Sequence, residues 1–155
     1  MKPILLAVAA LTLSASAQTA PPPAAVFPVS DLQARLNQIM PGAGERGSNG
    51  ATLADYGSYK IQLSVRTISG GAEVHAHWDD VMTVEQGSAT LITGGAVVDG
   101  KTGDDGETHG SRIDGGQSRK IHPGDVLTIR AGTPHQLILA PGAVYSAVVI
   151  KIHEP

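Results

Sequence analysis

The chain contains no cysteine, which excludes disulfides and thiolate metal sites outright. Aromatic residues make up only 3%, with one Trp and one Phe. No basic excess is present: Lys and Arg number 11 against 14 Asp and Glu, a net charge of −3 with His neutral. Nucleic acid is therefore not an expected partner. Beyond the first residues no apolar run is long enough to cross a bilayer, and the run there is itself too short. What is abundant is Gly (19) and Pro (10), set among Ala, Val, Ile and Leu. In 155 residues this mixture favours one domain of short strands joined by turns over a helical bundle.

The N-terminus has the build of a secretory signal. Lys2 gives a positive start, Ile4 to Leu13 is apolar apart from Thr12, and Ala15-Ser16-Ala17 is a small-residue cleavage pattern before Gln18. Residues 1–17 are expected to be a signal peptide. The mature protein is then exported, periplasmic in a Gram-negative cell and otherwise secreted, with no membrane attachment after cleavage. Residues 18–50 are expected to hold an Ala/Pro-rich linker and one helix. Ser30 and Gln33 have the spacing of a capping box, and Leu32, Leu36, Ile39 and Met40 follow at helical intervals. Pro41-Gly42 is expected to stop that helix, and Gly42 to Gly50 to be a loop.

From residue 51 to 155 the period changes to two. Tyr59 to Arg66 alternates apolar and polar residues, the pattern of a half-buried strand. Glu73–His77, Val81–Glu85, Ala89–Thr93, Ser118–Ile121, Val126–Ile129, His135–Leu139 and Val144–Ile152 follow, with turns such as His122-Pro123-Gly124-Asp125 between them. About eight short strands at regular intervals predict an all-β sandwich or barrel. The glycine-rich, charged stretch Gly94–Gln117 interrupts them and is expected to be an ordered excursion over the mouth of the sheet.

Chemistry gathers at Glu73-Val74-His75-Ala76-His77-Trp78-Asp79-Asp80. On an extended strand His75 and His77 would share a face, and two imidazoles on one face can clasp one ion. At this point the chain resembles the cupins, a family of small jelly-roll β-barrels. Their first motif reads G-x5-H-x-H-x3–4-E-x6-G. Here Gly70 and Gly71 precede His75 and His77, Asp80 stands at the Glu position, and Gly87 closes the pattern. Their second motif reads G-x5-P-x-G-x2-H-x3-N. Here Gly124, Gly132 and His135 fall in register, with Arg130 at the Pro and Leu139 at the Asn. The first glycine is offset by one, and the gap between His77 and Asp80 is one residue shorter than the family's.

The resemblance implies an all-β cupin jelly-roll β-barrel with a short N-terminal helix packed outside. It implies a divalent transition metal (Fe, Mn, Zn, Ni or Cu) on His75, His77 and His135, with Asp80 as a fourth ligand or as a partner to one of the histidines. It also implies a small-molecule ligand or substrate and a homodimer. It does not imply one reaction, since cupins range from oxygenases and lyases to binders without catalysis. Met82 and Val84 continue the Asp80 face and are expected to wall the pocket. Gln62 and Ser64 join them if the apolar face of their strand packs under the helix, and Trp78 could stack on a substrate. Arg130 is a candidate grip for an anion, with exposure at a turn as its plainer role. Asp79 faces away from Asp80 by alternation, and His109, His122 and His153 are expected on the surface. Two functions stand open: a small-molecule metalloenzyme of oxidoreductase or lyase type, and an exported metal- or small-ligand-binding protein without catalysis.

Overall fold

The computed structural model describes residues 24–155. The expected signal peptide, and the start of the linker, lie outside them. The described chain runs through one helix and thirteen strands, in the order α1 (Val29–Arg46), β1 (Ser48–Asp55), β2 (Tyr59–Arg66), β3 (Ala72–Val74), β4 (Trp78–Gln86), β5 (Ala89–Thr93), β6 (Ala96–Val98), β7 (Lys101–Thr102), β8 (Thr108–Gly110), β9 (Arg112–Asp114), β10 (Gln117–Ile121), β11 (Val126–Ile129), β12 (His135–Ile138) and β13 (Tyr145–His153). One sheet is ordered β1-β2-β13-β4-β11 and the other β10-β5-β12-β3-β8-β7, with β6-β9 as a separate pair. Every pairing is antiparallel. The two sheets do not close edge to edge, so the expected barrel is a jelly roll of two facing sheets.

Alternation along the strands explains how the faces are used. Met82 and Val84 of β4, Leu91 of β5, Leu137 of β12 and Tyr145, Ala147 and Val149 of β13 form one core cluster between the sheets. On β2 the opposite face is apolar. Leu63 and Val65 point away from that core and pack with Leu36 and Ala43 of α1. The helix therefore covers the outside of the first sheet, as its single apolar stripe predicts.

The helix differs from expectation at both ends. It starts at Val29 with Pro28 in the cap position and no side-chain cap, and the Ser30 hydroxyl bonds Asp31 instead of closing a capping box. It runs through Pro41 to Arg46 and ends on Gly47, whose φ of 86° only glycine adopts easily. Tertiary packing carries it past the proline. Ala43 is fully buried, its carbonyl accepts from the Thr67 hydroxyl at 2.8 Å, and the Asn49 amide donates to the Ile39 carbonyl at 2.8 Å. The expected loop at Gly42–Gly50 is thus the last helical turn and the start of β1. The excursion Gly94–Gln117 folds as short strands: β6 pairs with β9, β7 with β8, and β8 extends the second sheet beside β3.

Candidate metal centre

The decisive local feature is where β3 ends. The strand stops at Val74, the chain bends through His75, Ala76 and His77, and β4 begins at Trp78 in the other sheet. The Gly132 N–H holds the His75 carbonyl and the Glu154 N–H holds the His77 carbonyl, both at 2.8 Å. The two histidines therefore flank a corner between sheets instead of sharing one strand face. His75 turns inward, its side chain 11% exposed. His77 is exposed, and its ring lies over His153 with centroids 6.3 Å apart. Alternation does operate one step earlier, where Glu73 and His75 share the inward side.

His135 is brought to the same place by pairing. It stands directly opposite Glu73 across β3–β12 and is buried. One ligand atom from each of Glu73, His75 and His135 lies within 4.8 Å of the others, which makes a group that could hold a metal ion. The imidazole rings of His75 and His135 are 5.0 Å apart, and His135 Nε2 is 3.9 Å from the Glu73 carboxylate. Outer contacts orient both rings. The His135 Nδ1–H donates to the Thr133 carbonyl at 3.0 Å, and His75 Nδ1 meets the Glu107 carboxylate. With Nδ1 so engaged, Nε2 is the atom each ring can offer a metal, and in His75 that atom also faces the Asp80 carboxylate at 3.4 Å. The donor set fits a transition ion: two imidazoles and a carboxylate suit iron, zinc, manganese, nickel or copper, and leave coordination positions open.

Asp80 is inward and 2% exposed, but it belongs to a neighbouring contact. Its carboxylate accepts from Lys151 Nζ at 2.7 Å and lies 3.4 Å from His75 Nε2. Burial pushes Asp80 up, and the His75 and Lys151 contacts outweigh that and hold it below the usual carboxylate value. Burial pushes His75 down, while Asp80 and Glu107 outweigh it and leave His75 raised. His135 has no carboxylate within hydrogen-bond distance, and burial lowers its pKa.

The cluster borders a cavity of about 150 Å³. Met82 lines it together with Leu137, Val149 and Tyr145, and so do Ser64 and Arg66 from the inward face of β2. Three expected pocket residues are elsewhere. Val84 is 1% exposed inside the core and does not line the cavity. The Gln62 side chain turns to the Thr52 hydroxyl at 3.3 Å on neighbouring β1. Trp78 sits at the strand end, with His153 against its edge at 4.8 Å and Lys60 Nζ 5.1 Å from its ring. Arg130 is 72% exposed and pairs with Asp79 at 2.9 Å, far from gripping a ligand. His109, His122 and His153 are exposed.

Sequence reasoning missed four residues of this centre: Glu73, Arg66, Glu107 and Lys151. Glu73 was legible two positions before His75. Lys151 was legible as a charge in step with Tyr145, Ala147 and Val149. Glu107 had no local signal, since only the pairing of β8 with β3 delivers it.

No protein-family model and no curated protein sequence matches the chain. Solved structures do. The cupin domain of Cnp3 from Schizosaccharomyces pombe superposes with a TM-score of 0.52 at 7% identity, over 69% of this chain and 61% of that one. TT1209 from Thermus thermophilus does so at 0.52 and 13% identity, over 71% and 87%. A conserved protein with a double-stranded beta-helix domain from Klebsiella pneumoniae subsp. pneumoniae MGH 78578 gives 0.50 at 14% identity, over 68% and 76%. The chain thus spans less than two thirds of the Cnp3 domain, and at these identities the likeness is one of fold. Two facing antiparallel sheets and this likeness to cupin domains give the chain the cupin fold.

Proposed function

We propose that this chain is an exported cupin that holds a divalent transition metal on Glu73, His75 and His135 and acts there on a small organic molecule, as an oxidoreductase or lyase. The convergence of these three ligand atoms within 4.8 Å, beside a cavity, carries the reading. The set replaces the three-histidine group expected from the motif: Glu73 takes the place of His77. When bound, such an ion polarises or activates what enters its open positions. The protein's own groups orient the ligands and line the space. Two histidines with one carboxylate suit Fe(II) among the candidates Fe, Mn, Zn, Ni and Cu. Export rests on the build of residues 1–17, and the homodimer on resemblance.

One observation favours a second reading, an exported binder without catalysis. Asp80, a candidate base beside the cluster, is already held by Lys151 and His75, and the Lys151 ammonium is itself a cation beside the cluster. Metal analysis of purified protein, then oxygen uptake and product analysis against carboxylates, thiols and phenols, decides between them. Bound metal with turnover supports the enzyme. Tight metal without turnover supports the binder, and no metal after reconstitution defeats both metal readings. The mass of the mature protein tests cleavage after Ala17, and light scattering tests the dimer.

A further inference from the structure

Tyr145 lines the same cavity, is 1% exposed, and its hydroxyl has no hydrogen-bond partner among the described residues. Folded proteins rarely enclose a hydroxyl without giving it a partner. A phenylalanine would fill this space without that cost, so the hydroxyl asks for an acceptor. Directly opposite Tyr145 in the β2–β13 register stands Arg66, whose side chain also lines the cavity. Arg66 gives Nη2 to Glu73 at 3.3 Å, and its fork carries further donors. Burial raises the Tyr145 phenol to about 12, against a smaller lowering by Arg66, so at neutral pH it donates. Two donors thus belong to residues paired across β2–β13 that line one cavity.

We propose that Tyr145 and Arg66 form the seat for the carboxylate of a short aliphatic acid, whose tail lies against Met82, Leu137 and Val149 and whose far end meets the Glu73/His75/His135 group. A planar guanidinium fork matches a carboxylate better than any neutral group. Size limits the tail, since about 150 Å³ accepts a molecule of roughly benzene size. The proposal rests on the metal reading only for the ligand's far end.

Butanoate and its neutral analogue butanamide test it, by calorimetry and thermal melting, on the full mature protein both metal-loaded and stripped with chelator. Butanoate is expected to bind both forms and butanamide neither, and octanoate, too long for the cavity, is expected to fail. Tyr145→Phe should weaken butanoate at least about tenfold, the loss of one bond to a charged acceptor, while the ligand-free protein melts no lower than the parent. Equal binding of butanoate by that variant, equal binding of the amide, or a lower melting point without ligand would each overturn the proposal, the last by giving the hydroxyl a role in the fold. Metal content, measured on the same samples, separates the two readings. Metal held without Tyr145-dependent butanoate binding defeats the seat alone. Tyr145-dependent butanoate binding by protein that takes up no metal on reconstitution defeats the metal centre alone.

Discussion

Lys151 and Asp80 stand directly opposite each other on β13 and β4, and the ammonium meets the carboxylate at 2.7 Å with only 3% of the Asp80 side chain exposed. A buried carboxylate that loses such a partner is left poorly compensated. Lys151→Met should therefore cost about 3 kcal/mol in chemical denaturation, the usual size for breaking a buried pair from one side. The pH dependence carries a sign. Asp80 is lowered in the folded state, so its contribution is full above the unfolded carboxylate value and is lost as pH falls through the folded one. Removing Lys151 raises the folded value and narrows that window. The acid limb of the melting curve should move to higher pH in the variant, and an unmoved limb would contradict the pairing.

The ligand set separates by substitution. Glu73→Gln, His75→Ala and His135→Ala should each weaken metal binding by at least about 100-fold, no less than the upper range for losing an outer partner. His77→Ala should leave it within a factor of two or so, because the exposed His77 ring lies over His153. Calorimetric titration with Zn(II) and Mn(II) reads both. A loss with His77→Ala comparable to that with His75→Ala would restore the three-histidine site and remove Glu73 from it.

Glu107 supplies a second, independent sign. Metal must displace the proton on His75, whose pKa is raised above the ordinary histidine value, so affinity should begin to fall on the alkaline side of about 6.5 as the solution is acidified. Glu107→Gln removes one of the two carboxylates that raise His75. The acid limb of metal binding should then shift to lower pH, while affinity at pH 8 falls roughly 10–100-fold through loss of ring orientation. Titrations across pH 5.5–8.5 report the two effects separately, and movement of the limb to higher pH would refute the assignment.

The helix is a strap on the outer face and should be separable from the site. Leu36 is 7% exposed against Leu63 and Val65. Leu36→Ala should cost about 3 kcal/mol in stability, the usual range for a cavity made under a packed element. Metal affinity in the folded fraction should not change. Altered affinity at full folding would mean that the helix positions β2, and Arg66 with it.

Much of this protein was fixed by short-range pattern. Alternation in Tyr59–Arg66 and Val144–Ile152, and the apolar stripe Leu32, Leu36, Ile39 of the helix, follow from which faces must leave water, and that demand is written residue by residue. The motif spacing around His75 and His135 pointed to the cupin fold and named two of the three residues that cluster there. What the tertiary structure alone decided is where the chain changes sheets. Period-two reasoning holds only inside one strand, and the bend at His75–His77 lies between two, which turned His77 out and left Glu73 to complete the group. The same holds for Glu107 against His75 and Lys151 against Asp80. Partners 32 and 71 residues apart meet only when strands pair, and no local sequence preference encodes that meeting.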